Sequence, residues 1–205
     1  GSFAKVMAIN PGFDAAKVIH ARVAYSAAYA DIPSQQQLQN RLLEAMREIP
    51  GVDLVAHSYG LPGFAEEKVV PLPLRGMPKG QDSTYPTAFI FPVSPEYFPA
   101  MGIRLLDGRL FTSEDSRPDA RQVLIVDRKF AERYFPGRSA IGQQIDANSP
   151  EVKPENAPVI IGVVETARVS SLEKTTIAPY AYIPKGAVPN NGLSLLLRTS
   201  RSFAE

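Results

Sequence analysis

Residues 17–59 read KVIHARVAYSAAYADIPSQQQLQNRLLEAMREIPGVDLVAHSY, and this stretch decides the class of fold. Residues 17–25 are rich in β-branched and aromatic side chains, which is typical of a strand. A helix is predicted to begin at Pro33-Ser34, and Pro50-Gly51 ends it before a second strand at 52–58. Its apolar side chains recur every three or four positions as one buried stripe, made of Leu38, Leu42, Met46 and Ile49. The stretch therefore predicts a βαβ unit, and such units almost always cross over with a right hand.

The remaining chain has more predicted strands than helices. Strands are expected at 68–74, 87–93, 122–126, 158–165, 178–183 and 193–199, and the apolar 158–165 segment is expected to be internal in a sheet. Ser94-Pro95-Glu96 predicts a short helix with a hydroxyl cap, and Gly102 ends it. Asp127 is predicted to cap a third helix, which Pro136-Gly137 ends. Because runs of strands interrupt the βαβ pattern, we expect an α+β fold in two lobes.

Composition excludes several classes of function. The 205 residues are 44% hydrophobic and 21% charged, and 22 basic against 21 acidic residues leave a net charge of +1. A nucleic-acid partner would require a concentrated basic face, which this balance does not provide. Since the chain has no cysteine, it has neither disulfides nor thiolate metal sites, and it has no cysteine nucleophile.

The two ends of the sequence predict a fragment of a longer protein. Gly1-Ser2 is interpreted as a tag remnant, and the last four residues, from Ser202, are typical of a helix cap and its first turn. No apolar run approaches the roughly 20 residues of a membrane-spanning helix. We therefore expect the natural chain to continue beyond residue 205.

Leu106-Asp107-Gly108-Arg109 is the sharpest local motif. Gly108 permits a positive φ after an aspartate that can bond to its own turn. The guanidinium of Arg109 is expected to form a bidentate pair with a nearby carboxylate, Glu114 or Asp115. We interpret the motif chiefly as a turn held by an ion pair, with a ligand contact as the alternative.

The aromatic residues favour a core over a ligand site. Tyr97, Phe98, Phe130, Tyr134 and Phe135 recur at helical spacing, which is typical of packing side chains. Tyr97 and Phe98, together with Asp107, Gly108 and Arg109, are the candidate structural or partner-contact residues. A second set, before the first helix, is a candidate partner surface: Tyr25, Tyr29 and Ile32.

No catalytic, cofactor or metal site is predicted. His20 and His57 are the only histidines; strands that pair would bring them together, but without an acid or cysteine beside them they make a poor ligand set. The glycines form neither a dinucleotide fingerprint nor a phosphate loop. Ser58-Tyr59-Gly60 lacks the glycine that a nucleophile elbow needs two residues before the serine. Paired carboxylates of the glycosidase kind stay open, because a sequence gives no distances.

Several segments together resemble one family in its order of motifs. They are 93–103 (VSPEYFPAMGI), 106–112 (LDGRLFT), 123–127 (VLIVD), 130–137 (FAERYFPG), 140–145 (AIGQQI) and 161–164 (IGVV). The set is similar to the periplasmic core domain of ABC-transporter permeases of the MacB/FtsX type, over residues 10–199. Residues 11–14, 49–52 and 61–63 resemble the duplicated permeases of acidobacteria. Glu165-Thr166-Ala167 departs from the family, which has a small residue and an aspartate there.

The resemblance implies a porter-like lobe of βαβ units, at 10–75 and 175–205, with an inserted, sabre-like mixed α/β lobe at 76–174. It also implies an extracytoplasmic domain of an inner-membrane permease that couples cytoplasmic ATP hydrolysis to periplasmic events such as efflux. The implied partners are the protein's own membrane helices, an ATPase subunit or domain, a second permease copy, and a periplasmic adaptor or substrate.

Two other functions are weighed beside this one. The first is a periplasmic solute- or peptide-binding domain with an apolar cleft lined by Phe64, Tyr85 or Phe89. The second is an enzyme, for which no catalytic constellation is found.

Overall fold

The computed structural model describes residues 4–7, 18–59, 69–77, 85–146, 152–167, 178–185 and 193–200. Its strands are β1 (Ala4–Met7), β2 (Val18–Val23), β3 (Val52–Ser58), β4 (Val69–Pro71), β5 (Thr87–Val93), β6 (Leu105–Gly108), β7 (Val123–Asp127), β8 (Val159–Val164), β9 (Tyr180–Pro184) and β10 (Leu193–Thr199). Its α-helices are α1 (Ile32–Arg47), α2 (Tyr97–Met101) and α3 (Arg128–Tyr134). Three short 3-10 helices lie at Ala27–Tyr29, Ser113–Ser116 and Pro154–Asn156.

All these strands belong to one mixed sheet. Its order is β1-β2-β10-β3-β5-β9-β7-β8-β6, and β4 pairs with β5 beside this path. Strand β8 is internal, as predicted, with β7 parallel on one side and β6 antiparallel on the other. The α+β fold predicted from the sequence is confirmed as a mixed α/β architecture with one large sheet, whereas the lobe boundaries stay a prediction.

The predicted strand–helix–strand unit is present, but its strands are not neighbours. Strands β2 and β3 are each antiparallel to β10, so they run parallel to each other with β10 between them. A C-terminal strand has therefore been inserted into an N-terminal βαβ unit. Residues 17–59 alone do not predict this insertion, because the inserted strand, β10, lies far along the chain.

The sheet narrows where β3 meets β5, and we call this junction the seam. Ser58 and Val93 are the one registered pair between these strands. Two backbone hydrogen bonds flank them: Tyr59 N–H donates to the Pro92 carbonyl (3.0 Å), and Ser94 N–H donates to the His57 carbonyl (2.9 Å). Strands β1, β2, β10 and β3 lie on one side of the seam, and β4 to β9 lie on the other.

Helix α1 covers one face of the first strand group. Its cap is Asp31, whose carboxylate accepts a hydrogen bond from Ser34 N–H at 2.9 Å. The helix therefore begins slightly before the predicted Pro33-Ser34. Leu43 is the buried side chain of this helix, whereas Ile49 is 41% exposed beyond the helix end. The prediction of Ile49 in the buried stripe was wrong, because the chain leaves the helix after Arg47.

The other two helices pack on the sheet through aromatic residues. Asp127 caps α3 as predicted: its Oδ1 accepts a hydrogen bond from Phe130 N–H at 2.9 Å. The predicted hydroxyl cap of α2 was wrong. Ser94 Oγ instead accepts a hydrogen bond from His57 N–H on β3 at 3.0 Å, and Glu96 occupies the cap position. Gly102 ends α2 in the left-handed conformation, with φ at 67°, as predicted.

Candidate functional site

The Asp107-Gly108-Arg109 turn lies at the sheet edge, where β6 pairs with β8. Gly108 stands opposite Gly162 in this ladder and has φ at 71°. A Cβ on Gly108 would meet the carbonyl oxygen of Ile161, and a Cβ on Gly162 would meet that of Arg109. The two glycines therefore let the two backbones approach each other from both sides.

Two side chains hold this turn. Asp107 accepts hydrogen bonds from its neighbour's backbone, Gly108 N–H (2.8 Å), and from Ser139 Oγ (3.2 Å). Arg109 forms the predicted bidentate pair, and its partner is Asp115: Nη1 lies 2.8 Å from Oδ2 and Nη2 lies 3.0 Å from Oδ1. Hydrogen bonding from this guanidinium holds the pKa of Asp115 below its ordinary value of 3.8. The Asp115 carboxylate also accepts from Thr112 N–H and closes a capping box on the Ser113–Ser116 turn.

Tyr97 and Phe98 lie in the core and not on the surface. Their exposed fractions are 1% and 0%, so both side chains are enclosed by the rest of the domain. Phe98 packs edge-on against Tyr97 and Tyr182, with ring centroids 5.5 Å and 4.9 Å apart. The interpretation of these aromatic residues as packing side chains agrees with this placement.

Helix α2 joins the two sides of the seam. It follows β5 in the sequence, yet it packs on β3 and β10, which lie on the other side of the seam. Arg198 on β10 donates a hydrogen bond to the carbonyl of Ala100 at 3.1 Å. The main hydrophobic cluster continues across the seam, since it contains Val18, Ala56 and Leu196 together with residues of α2, β5 and β9.

Lys185 follows β9 and lies beside the seam on the face of the sheet that α1 covers. It is 9% exposed, and its Nζ donates to Gln39 Oε1 on α1 at 3.2 Å. The ammonium also lies 5.3 Å from the ring centroid of Tyr59. Burial lowers the pKa of Lys185 to about 8. The sequence analysis missed this residue. Lys185 directly follows Pro184 at the end of a strand, and neither neighbour in the sequence indicates that the lysine is buried.

The two histidines do not form a site. His20 stands opposite Leu196 and His57 opposite Leu195, so strand β10 separates them and their side chains point to opposite faces. Burial is the main cause that lowers the pKa of both, to about 3 for His57, where Lys185 and Arg47 add to the effect. Within the described ranges, no three His, Cys, Asp or Glu side chains are grouped as a metal site would require.

The segment that departs from the family pattern contacts the start of α3. Glu165 forms a bidentate pair with Arg128, at 3.0 Å and 2.8 Å. Thr166 Oγ1 accepts a hydrogen bond from Lys129 N–H at 3.3 Å. In this chain, Glu165 and Thr166 therefore attach the loop after β8 to the first turn of α3.

The remaining sequence predictions have mixed outcomes. Residues 11–14 and 61–63 and Phe64 lie outside the described residues. Phe89 is buried against Tyr180, with ring centroids 5.4 Å apart, so it does not line an open cleft. Ile32 is 39% exposed, whereas Tyr25 packs on the cluster beneath α1. No helix in the described part of the chain has both the length and the apolar character to cross a membrane.

Comparison with known proteins decides the family. The model of the MacB-like periplasmic core domain matches residues 5–204. The chain belongs to this MacB-like family. The prediction of a periplasmic permease domain is thereby confirmed. The family is a domain of ABC-transporter permeases and not a class of enzyme. The search of curated sequences, by contrast, finds no match.

Solved structures of other proteins are similar to this chain at low sequence identity. The periplasmic region of MacB from Actinobacillus actinomycetemcomitans is 16% identical, with a TM-score of 0.50 over 80% of this chain and 65% of that one. The extracellular domain of the noncanonic ABC-type transporter YknZ from Gram-positive bacteria is 17% identical, with a TM-score of 0.47 over 78% of this chain and 72% of that one. This MacB-like chain thus spans less than two thirds of the MacB periplasmic region.

Proposed function

We propose that this MacB-like domain is the rigid external body of an ABC permease, and that it transmits ATP-driven movement of the membrane subunits to periplasmic events such as efflux. It acts mechanically and catalyses no reaction. The observation that carries the proposal is the family match over residues 5–204. The structural support is mechanical: a transmitting body must move as one unit, and protein interiors at close-packed density transmit displacement with little compression.

Two features support such stiffness. The sheet is continuous from β1 to β6, and the main hydrophobic cluster crosses its narrowest point. Helix α2 and the hydrogen bond between Arg198 and Ala100 add a second connection there. We assign the Asp107-Gly108-Arg109 turn a structural role in this body, because its contacts lie within the domain.

The proposed partners follow from the same role. They are the protein's own membrane helices, a cytoplasmic ATPase subunit or domain, a second permease copy, and an adaptor or substrate in the periplasm. Since a cyclic dimer is the commonest symmetric assembly, two copies closing and opening together is the simplest mechanical arrangement.

Electron paramagnetic resonance on the full-length permease with its ATPase tests this function. Because these 205 residues contain no cysteine, spin labels can be placed at the exposed positions of Arg41→Cys and Lys153→Cys. We expect the distance between the two labels within one subunit to stay constant through the ATP cycle. The distance between the label at position 41 of one subunit and the same label of the other subunit should change when ATP binds. An unchanged distance between subunits would contradict the coupling role, and a changing distance within one subunit would contradict rigidity.

A cleft on the second half of the sheet favours one other function, the binding of an apolar solute. Its volume is about 700 Å³, and its apolar lining includes Leu72, Ile90, Leu124, Ile145 and Ile183. This volume lies within the range of small-molecule sites. Native mass spectrometry distinguishes the two functions, since only a solute-binding domain would retain a co-purified ligand that is lost on denaturation.

A further inference from the structure

A second cleft, of about 290 Å³, lies between α1 and the Ser113–Ser116 turn beside the seam. Leu43 and Arg47 line it from α1, His57 from β3, Glu96 from the turn before α2, and Lys185 from the end of β9. We call it the Lys185 cleft. Its volume is at the lower end of the range for small-molecule sites, so it suits a ligand of a few heavy atoms.

The Lys185 cleft contains a buried cation that forms no ion pair with a carboxylate of the described residues. An ammonium group has three N–H donors. Among the described residues, its partners are one neutral amide oxygen, Gln39 Oε1, and the face of the Tyr59 ring. No carboxylate in those residues forms an ion pair with Lys185. Burying a charge in this way is costly unless an anion joins it.

Two cations line the cleft, and Lys185 is the buried one, whereas Arg47 is exposed to solvent. With a pKa of about 8 for Lys185, roughly nine in ten molecules carry its charge at pH 7. His57 is neutral at that pH, since its pKa is about 3, and its Nδ1 lies 3.5 Å from Gln39 Nε2. The Gln39 amide therefore accepts from Lys185 with its oxygen and faces the imidazole with its nitrogen. Within the described part of the chain, this arrangement leaves the other Lys185 donors for a ligand.

We propose that the Lys185 cleft binds a carboxylate group, whose oxygens accept hydrogen bonds from Lys185 Nζ. A monoanion fits better than a phosphate dianion, because Glu44 and Glu96 also line the cleft and repel each added negative charge, while Lys185 and Arg47 attract it. The carboxylate comes either from a free small organic acid or from the C-terminus of a short peptide. This inference is independent of the coupling role.

Calorimetric titration of the 205-residue protein at pH 7 tests the proposal with butyrate and, as the uncharged isostere, butyramide. We expect butyrate to bind and butyramide not to bind. Lys185→Met removes the ammonium and keeps the length of the side chain, so it should weaken butyrate binding about tenfold or more. Lys153→Met makes the same change at an exposed lysine and should bind like the wild type. Equal binding of the acid and the amide, or unchanged binding by Lys185→Met, overturns the proposal.

A pH series on the wild type needs no variant that might fail to fold. Five titratable groups face Lys185. Glu44 and Arg47 lie on α1, His57 lies on β3, Tyr59 directly follows β3, and Glu96 precedes α2. Above pH 8 the free protein loses the ammonium proton, so butyrate affinity should fall by about tenfold per pH unit there. An affinity that is constant from pH 7 to about pH 10 overturns the proposal.

Alanyl-alanine and its C-terminal amide distinguish the two sources of the carboxylate. Tighter binding of the free dipeptide than of butyrate, with no binding of its amide, assigns the cleft to peptide C-termini. Binding of butyrate without binding of the dipeptide assigns it to small organic acids. If neither butyrate nor the free dipeptide binds, the proposal is wrong.

Discussion

Gly108 and Gly162 show how closely two backbones approach at the β6–β8 edge. Each glycine lies where a Cβ would meet a carbonyl oxygen of the facing backbone, Ile161 for Gly108 and Arg109 for Gly162. Gly108 also has a positive φ, which an L-residue adopts at a cost, whereas Gly162 has only the steric constraint. The close approach of the two backbones therefore accounts for a glycine at both positions of this edge.

We expect Gly162→Ala to destabilise the domain by about 2 kcal/mol or more, because the added methyl separates β6 from β8. Gly108→Ala should cost at least as much, since it adds backbone strain to the same clash. Gly137→Ala is the matched control: its φ is 72°, but no atom lies near the position of its Cβ. It should cost about 1 kcal/mol, the strain alone. Urea unfolding measures all three, and a Gly162→Ala protein as stable as Gly137→Ala would contradict the close approach.

The sequence predicted the Asp107-Gly108-Arg109 turn but not its contact with Gly162 on the neighbouring strand. An aspartate before a glycine and an arginine near two acids are local signals, and the Arg109 pair formed with one of the two predicted acids, Asp115. The reciprocal glycine at 162 was recognised only as part of a family motif. Its role could not be derived, because the contact joins residues more than fifty positions apart.

At the scale of elements, Asp127 connects a strand, a helix and a second strand. It is fully buried at the end of β7, its Oδ1 accepts from Phe130 N–H, and its Oδ2 accepts from Tyr180 N–H on β9 at 3.2 Å. Burial raises the pKa of Asp127 above its ordinary value of 3.8, and the backbone donors oppose that rise. The sequence predicted the helix cap from local pattern, but the contact with β9 depends on the strand order.

Replacing Asp127 by alanine should cost about 1–3 kcal/mol, since both buried N–H groups lose their acceptor. Asp127→Asn keeps the oxygen for Phe130 and places an NH₂ group against Tyr180 N–H, so an intermediate loss is expected. Thermal unfolding at pH 7 measures both variants. If the asparagine variant is as stable as the wild type, the bond to Tyr180 contributes nothing.

The sign of the pH effect gives a second measurement on the same variants. A carboxyl with a raised folded pKa stabilises the fold fully below its unfolded pKa, and that contribution is lost as the pH rises through the folded value. The wild type should therefore lose this contribution between about pH 4 and its higher folded pKa, and Asp127→Asn should lose that slope. An identical pH dependence in both proteins would show that Asp127 titrates as in the unfolded chain.

At the scale of the whole molecule, the strand order was the least predictable feature. Strands β3, β5 and β10 were predicted with the bounds that the structure shows. The local hydrophobic pattern predicts which face of a strand is buried, but it does not predict which strand will be its neighbour in the sheet. The insertion of β10 between β2 and β3, and the pairing of β9 with β5 and β7, are therefore consequences of long-range packing.

This packing predicts that the domain unfolds in one transition despite its narrow seam. Strands β3 and β5 share a single registered pair, so the sheet ladder alone would connect the halves weakly. The main hydrophobic cluster nevertheless spans both halves, and Phe98 of α2 lies at 0% exposure within it. Phe98→Ala should cost about 3–5 kcal/mol, which is typical of a cavity left by a buried ring.

The variant should also separate the halves kinetically, which tests the role of α2 more directly than stability does. In wild-type hydrogen exchange, the amides of β10 and of β7 should share one opening free energy. In Phe98→Ala, the amides of β2, β3 and β10 should exchange faster than those of β7 and β8, because α2 no longer holds the first group to the second. Phe130→Ala is the control, since it leaves a cavity of the same kind beneath α3 and within the second group only. Uniform acceleration in both variants would show that the seam is held by the strands themselves and that α2 has no special part in it.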